Sequence, residues 1–487
     1  MVLKKFLKNR AAGILFYGAM SLLLVLPASC NKKGGGTEPA PPPATPGTVQ
    51  QWFTSFNQSQ RLQRQTELLA FKATNPGGPM VELDESTTFQ TMEGFGYTLT
   101  GSSAMLINSM VTTEKTKLLN ELFSKSEESI NISYLRLSLG ASDLSPFVFS
   151  YNDLPTGQTD EPLAKFSLAA DTVDLVPLLK QIIAIKPGIK LMASPWSAPA
   201  WMKDNKSPKN GSLLPRYQAV YAKYFVKYLQ AMKANGITID AVTVQNEPQH
   251  GGNNPSMVMS AVQQTDFVKN HLGPAFRDAG IATKIIIWDH NCDNPNFPIS
   301  VLNDPAAKAF VAGSAFHLYA GDISAMSLVH NAHPDKGLYF TEQWTGANGT
   351  FAGDFPWHTR NVIIGAVRNW AKISLEWNLA NDANFGPSTP GGCTECKGAL
   401  TIVGSNVTRN VSYYIIAQVS KFVPAGSVVF KSSGPGNLSQ VAFKTPDGKK
   451  VLLVMNESRS TVNFNIKWNN TFAKAALPAE TAATYYW

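Results

Sequence analysis

Cysteine is scarce in this chain: of 487 residues only Cys30, Cys292, Cys393 and Cys396 carry a thiol. The last two form a single C-x-x-C in GGCTECKG. There is no second pair to complete a zinc site and no thioredoxin-like βαβ setting for redox work. A small disulfide pinning a loop fits Cys393 and Cys396 better, and Cys292 is left as a lone thiol. Histidine is scarce too. The seven histidines include no H-E-x-x-H pair, so a metalloenzyme is poorly supported. His290 with Cys292 reads as loop structure, not as ligands. G-x-S-x-G is absent, which removes the serine-hydrolase elbow; TGSSAM does not supply it. The glycine spacing in GFGYTLTG is not G-x-G-x-x-G and its acidic partner is missing, so no dinucleotide cofactor is expected. Blocks of like charge are also missing. The net charge is +8 and the pI near 9.1, yet Lys4, Lys5, Lys8 and Arg10 supply four of those charges in the first ten residues. A nucleic-acid footprint should cluster on a folded surface, so no nucleic-acid partner is expected.

What is present begins with a targeting segment. MVLKKFLKNR is a basic start, and AAGILFYGAMSLLLVLPAS is the apolar stretch that follows, ending before Cys30. PASC resembles a bacterial lipoprotein cleavage box, with Pro27 where such boxes usually carry Leu. The resemblance implies lipidation at Cys30 and an exported protein anchored through that lipid. The alternative is an ordinary secretory signal, with a periplasmic or secreted product. The stretch is too short to read as a membrane span. Residues 31–50, rich in Gly and Pro, read as a flexible linker.

Hydrophobic content of 44% and aromatic content of 10% are those of a globular protein with a real core. From residue 94 onward short apolar runs alternate with stretches of helical spacing. The runs fall at 94–100, 132–140, 189–196, 241–247, 284–290, 315–320, 338–344 and 374–380. Helical spacing appears in VTTEKTKLLNELFS, RYQAVYAKYFVKYLQAMKANG, TRNVIIGAVRNWA and VSYYIIAQVSKFV. Eight strand–helix units predict an α/β fold, the (β/α)8 or TIM barrel, over 93–424. After Pro424 the texture becomes all-β, with LSQVAFKTPDGKKVLLVMNES reading as two strands around a Pro-Asp-Gly turn. Some 60 residues are short of core by themselves. The strand-like VELDESTTFQTM before the barrel is expected to join them, in a discontinuous side β-sandwich of 51–92 plus 425–487.

In such a barrel the chemistry sits at the C-terminal ends of the strands. Two predicted strands end there in a carboxylate. Glu247 closes AVTVQNE, the fourth, and Glu342 ends the strand within LYFTEQW, the seventh. One such glutamate alone is commonly a helix cap. Two facing one cleft form the constellation for glycoside hydrolysis, in which one protonates the leaving oxygen and the other attacks or activates water. Trp196, Trp201, Trp288, Trp344 and Trp377, with His317 and Tyr319, are expected around the mouth. There indole faces can stack on sugar faces.

TVQNEP, LMASPWSAPAWMK, YLRLSLGASD, FHLY and EWNLA together resemble glycoside hydrolase family 30, the family of the lysosomal glucosylceramidases. The likeness runs from about residue 90 to the end. It implies a retaining β-glycosidase without cofactor or metal, Glu247 as general acid/base and Glu342 as nucleophile. It further implies that Asn246 holds the sugar 2-hydroxyl and Tyr319 hydrogen-bonds the nucleophile. Arg136, Asp143, Trp196, His317 and Trp377 are implied to shape the subsite for the reacting sugar, with Trp344 beside them. The acid is expected to have a raised proton affinity and the nucleophile to stay ionised. FTEQWTG and GGCTECKGALTI are more similar to the β-1,6-glucanase branch than to glucosylceramidases. The activity expected from this is that of an endo-β-1,6-glucanase; a glucosylceramidase and an exo-acting β-glucosidase or β-xylosidase are the rivals. A carbohydrate-binding barrel without turnover is the more distant alternative, marked by loss of one carboxylate; both are present. Oligomeric state is not legible.

Overall fold

The computed structural model describes residues 47–487. The leader at 1–30, with Cys30, and the linker as far as residue 46 lie outside the described residues. Eight parallel strands close a barrel: β1 (Gly94–Leu99), β2 (Tyr134–Ser138), β3 (Lys190–Ser194), β4 (Ala241–Thr243), β5 (Lys284–Cys292), β6 (Val311–Gly321), β7 (Gly337–Glu342) and β8 (Ala371–Asn378). Neighbours in sequence are neighbours in space, and β8 pairs with β1 to complete the ring. The helix Gln218–Ala234, between β3 and β4, shows why the segments between strands are helical. Tyr221, Phe225, Tyr228 and Met232 recur every three or four residues and are all buried, as a helix laid on a barrel requires. Among the described residues no helix is long and apolar enough to cross a membrane.

Alternation of side chains along each strand fills the barrel in layers. Tyr134, Met192, Ala241, Ile286, Ala315, Tyr339, Ile373 and Leu375 form an apolar plug. Two residues further along five of these strands stand Arg136, Ser194, Thr243, His317 and Thr341, all with no exposed surface. A polar floor is thus laid directly on an apolar plug. β5 breaks the two-residue count. Its register slips between Trp288 and His290, where Trp288 and Asp289 take left-handed backbone with φ of 70° and 65°. This bulge puts Asp289, rather than residue 288, into the polar layer. Trp288, expected at the mouth, is turned away against Phe297, with ring centroids 4.4 Å apart.

A nine-stranded sheet flanks the barrel. It draws Gln50–Ser55, Gln63–Arg64 and Met80–Thr91 from before the barrel and six strands from after it. The Pro-Asp-Gly turn joins Leu438–Lys444 to Lys450–Asn456, with Lys444 opposite Lys450. Lys450–Asn456 is buried on both faces. Val451, Leu453 and Met455 join the main core with the barrel, whereas Leu452 and Val454 join the sandwich's own core. The linker expected at 31–50 ends earlier than that. Val49 is fully buried and exchanges backbone hydrogen bonds with Leu69 at 2.8 and 3.0 Å, and Gln50 pairs with Tyr486.

Candidate active site

Arg136 organises the polar floor. Its side chain is fully buried. One guanidinium nitrogen donates to Glu342 Oε2 at 2.5 Å. The other donates to Asn246 Oδ1 at 2.6 Å and Asp289 Oδ2 at 2.9 Å, and Nε donates to Ser194 Oγ at 3.0 Å. Asp289 also accepts from the hydroxyls of Thr243 and Thr341, each at 2.7 Å. Every polar atom of the guanidinium therefore has a partner, which is what makes a buried charge tolerable. Trp196 and Trp377 cover it from above, 4.8 and 5.7 Å from the guanidinium carbon.

Glu342 ends β7 as expected. Besides Arg136 it accepts a hydrogen bond from the Tyr319 hydroxyl at 2.9 Å. Glu247 is not quite where the sequence pattern put it. The β4 ladder stops at Thr243, and Glu247 lies four residues beyond. It is held there by its N–H to the Asp289 carbonyl (2.9 Å) and by the Asn246 N–H to the Pro195 carbonyl (2.8 Å). Its own backbone is left-handed, φ 46°. A non-glycine residue in that region is uncommon and clusters at functional sites. Both carboxylates reach one atom, His317 Nδ1: Glu247 Oε1 at 3.3 Å and Glu342 Oε1 at 3.9 Å. Their facing oxygens cannot be further apart than those two lengths together. That bound rules out the wide end of the ~6.5–9.5 Å separation used by inverting glycosidases.

The electrostatics follow from burial and from these contacts. Burial works against charge on Asp289, yet Arg136 and His317 outweigh it and hold this carboxyl far below the usual range. Burial also opposes charge on His317, but Glu342, Asp289 and Glu247 push it up to about 9. Glu247 is brought below the ordinary glutamate value: burial opposes, and the hydrogen bond and charge of His317 prevail. Glu342 is raised, burial and Glu247 outweighing His317 and Arg136. This order is the reverse of the expected one, and the cause is that His317 stands closer to Glu247. Asp143 is pushed up to about 7 by burial and by the two glutamates.

One wall of the cleft is the cluster of Leu144, Trp196, Trp377 and Cys396, with Trp344 and Cys393 packed on it. Cys393 and Cys396 are joined in a disulfide. Their loop is stitched to the site: the Thr389 N–H donates to the Asp143 carbonyl at 3.0 Å, and Gly346 pairs with Cys396. Trp201, like Trp288, does not join. Its Nε1 donates to Asn152, and its ring packs edge-on against Tyr217. The structure thus brings together Arg136, Asp143, Trp196, Asn246, Glu247, His317, Tyr319, Glu342, Trp344 and Trp377. Asp289 was missed in the sequence, although it too stands near a strand's C-terminal end. His290, set aside there as loop structure, belongs to β5 and is 3.8 Å from Glu247.

A closed (β/α)8 barrel with two buried glutamates around one imidazole has the architecture of a glycosidase. Residues 92–423 match the description "Glycosyl hydrolase family 30 TIM-barrel domain", and residues 426–485 match "Glycosyl hydrolase family 30 beta sandwich domain". The chain belongs to glycosyl hydrolase family 30 and is a glycoside hydrolase. An endo-1,6-beta-D-glucanase of Neurospora crassa is 37% identical over 388 residues, covering 76% of this chain and 79% of its own. The lysosomal acid glucosylceramidase of Mus musculus is 28% identical and covers 89% of both. The solved structure of "The endo-beta1,6-glucanase BT3312" superposes with a TM-score of 0.84 at 33% identity, covering 91% of this chain and 99% of that one.

Proposed function

We propose that this hydrolase cuts β-1,6-linked glucan within the chain, with retention of configuration. The observation that carries the mechanism is that Glu247 and Glu342 face each other across His317. Glu342, oriented by Arg136 and Tyr319, attacks the anomeric carbon as the glycosidic C–O bond breaks. Glu247 delivers a proton to the leaving oxygen. The resulting glycosyl ester on Glu342 is hydrolysed when water gives a proton to Glu247, attacks the same carbon and frees the carboxylate. Glu247 can serve as the acid although it is held below the ordinary glutamate value. Glu247 and His317 together hold one proton, and a 3.3 Å contact lets it sit on either. Such a pair titrates as a unit, so the proton on His317 is available to the leaving group through Glu247.

The linkage rests on the glucanase relatives and on HGGNNPSM after β4 and ANGTFAGDFPWHT after β7, whose residues are mostly polar or small. Linear β-1,6-glucan, an aryl β-glucoside and glucosylceramide offered side by side test it, with Glu342→Gln as control. A ladder of short oligosaccharides from the glucan, absent in the control, is expected. Glucose from the glycoside or the lipid, with the glucan intact, overturns the linkage and leaves the two-glutamate chemistry standing. We also propose export with a lipid anchor at Cys30, on the sequence of the leader alone. Fatty-acid labelling of the expressed protein, lost in Cys30→Ala, is the expected result; an unlabelled protein overturns it.

A further inference from the structure

His290 takes no part in the chemistry above. It is 7% exposed, and its Nδ1 is buried without a hydrogen-bond partner. The β5 bulge that places Asp289 also aims this atom at the acid/base, 3.8 Å from Glu247 Oε1. His317 Nδ1 approaches the same oxygen at 3.3 Å. The three atoms all lie within 4.8 Å of one another. A tetrahedral zinc ion with bonds of ~2.0–2.1 Å keeps its ligand atoms roughly 3.4 Å apart. Glu247 Oε1 stands near that distance from both imidazole nitrogens, at 3.3 and 3.8 Å.

The surroundings fit as well. His317 Nε2 meets Asp289 Oδ1 at 3.1 Å, the carboxylate–histidine arrangement that fixes the ring and leaves the other nitrogen for a metal. Two imidazoles and one carboxylate suit zinc or copper(II) and do not suit magnesium or calcium.

We propose that Glu247 Oε1, His290 Nδ1 and His317 Nδ1 form a binding site for a divalent transition cation, and that the cation reversibly blocks hydrolysis. Three protein ligands leave a fourth position for water from the cleft. On binding, the cation takes the place of any proton on these three atoms, which leaves to solvent. The acid/base then has no proton to give, and the charge of the cation opposes its taking one from water. The blocking effect rests on the role proposed for Glu247; the binding does not.

Zinc titrated by calorimetry into the chelator-treated full chain tests the site. One zinc per chain is expected for the wild type and equally for Glu342→Gln, which needs no activity to be read. His290→Ala should weaken binding by about tenfold or more, and His290→Gln serves if the alanine variant is unfolded by thermal melt. Zinc should stop hydrolysis in the wild type and a chelator restore it. The half-inhibiting concentration should rise about tenfold or more in the His290 variant, taken against that variant's own metal-free rate. No binding up to the millimolar range, or binding indifferent to His290, overturns the site. Binding at the site with hydrolysis unaffected overturns the blocking effect. Binding as expected in a chain that cleaves no glycoside leaves the site standing and overturns the proposed function instead.

Discussion

Two glutamates with different partners should fail differently. Glu342 has a guanidinium and a phenol on its oxygens; Glu247 has an imidazole at 3.3 Å and the Asn253 amide at 3.4 Å. Glu342→Gln removes the nucleophile and should abolish hydrolysis of every substrate. Glu247→Gln removes the acid of the first step and the base of the second, each worth ~10²–10⁴-fold. It should cut glucan hydrolysis by at least that factor and spare only the first step on an aryl glycoside whose leaving group needs no proton; a burst of released phenol followed by slow turnover, read by stopped-flow, checks this. His317 gives a second prediction. Its folded-state value is raised to about 9, so its contribution to stability is complete below the ordinary histidine value of ~6.5 and is lost as pH rises through about 9. In chelator-treated buffer the thermal midpoint should fall from about pH 7 to about pH 10, and fall less in His317→Gln. Both glutamates were legible in the sequence, because a carboxylate ending an apolar run stands out. Asp289 was not: the bulge at Trp288 and Asp289 shifts the strand's inside–outside count by one, and no local residue pattern announces that slip. The same slip explains why Trp288 looked like a platform and is packing.

At the scale of elements, the barrel strands were readable from apolar runs, but their ends were not. β4 keeps only three ladder residues, because the chain leaves the ladder to carry Asn246 and Glu247 over the floor. Apolar content continues through Val244 and conceals the exit. The loop 389–397 was visible as a C-x-x-C, while its contact with Asp143 needed coordinates. Gly392 lies so close that a Cβ there would come 2.4 Å from the Asp143 carbonyl oxygen and 2.7 Å from Thr389 Oγ1. Gly392→Ala must therefore push the loop off Asp143. On the reading that Asp143 borders the reacting sugar, kcat/KM should fall by about tenfold, ~1.4 kcal/mol, on glucan and aryl glucoside alike. A loss confined to the polymer would assign the loop to a more distant subsite.

Across the whole molecule the sandwich is part of the barrel's core. Phe443 meets Phe95 of β1, with centroids 6.2 Å apart, and the Met92 N–H donates to the Ser427 carbonyl at 2.7 Å. A chain ending at residue 424 leaves apolar side chains of the barrel open to water and removes Val451, Leu453 and Met455 from the shared core. It should be insoluble or melt without a cooperative transition, as circular dichroism would show. The sequence could suggest this only through size, a β unit too small to stand alone. The central claim concerns the two carboxylates, and the anomer released first tests it most directly. Proton NMR within the first minutes of glucan hydrolysis, before the sugar mutarotates, reads that anomer. The account predicts that β-anomeric ends appear first and α later. Initial α-anomeric ends would mean direct displacement by water, and would contradict the roles given to Glu247 and Glu342.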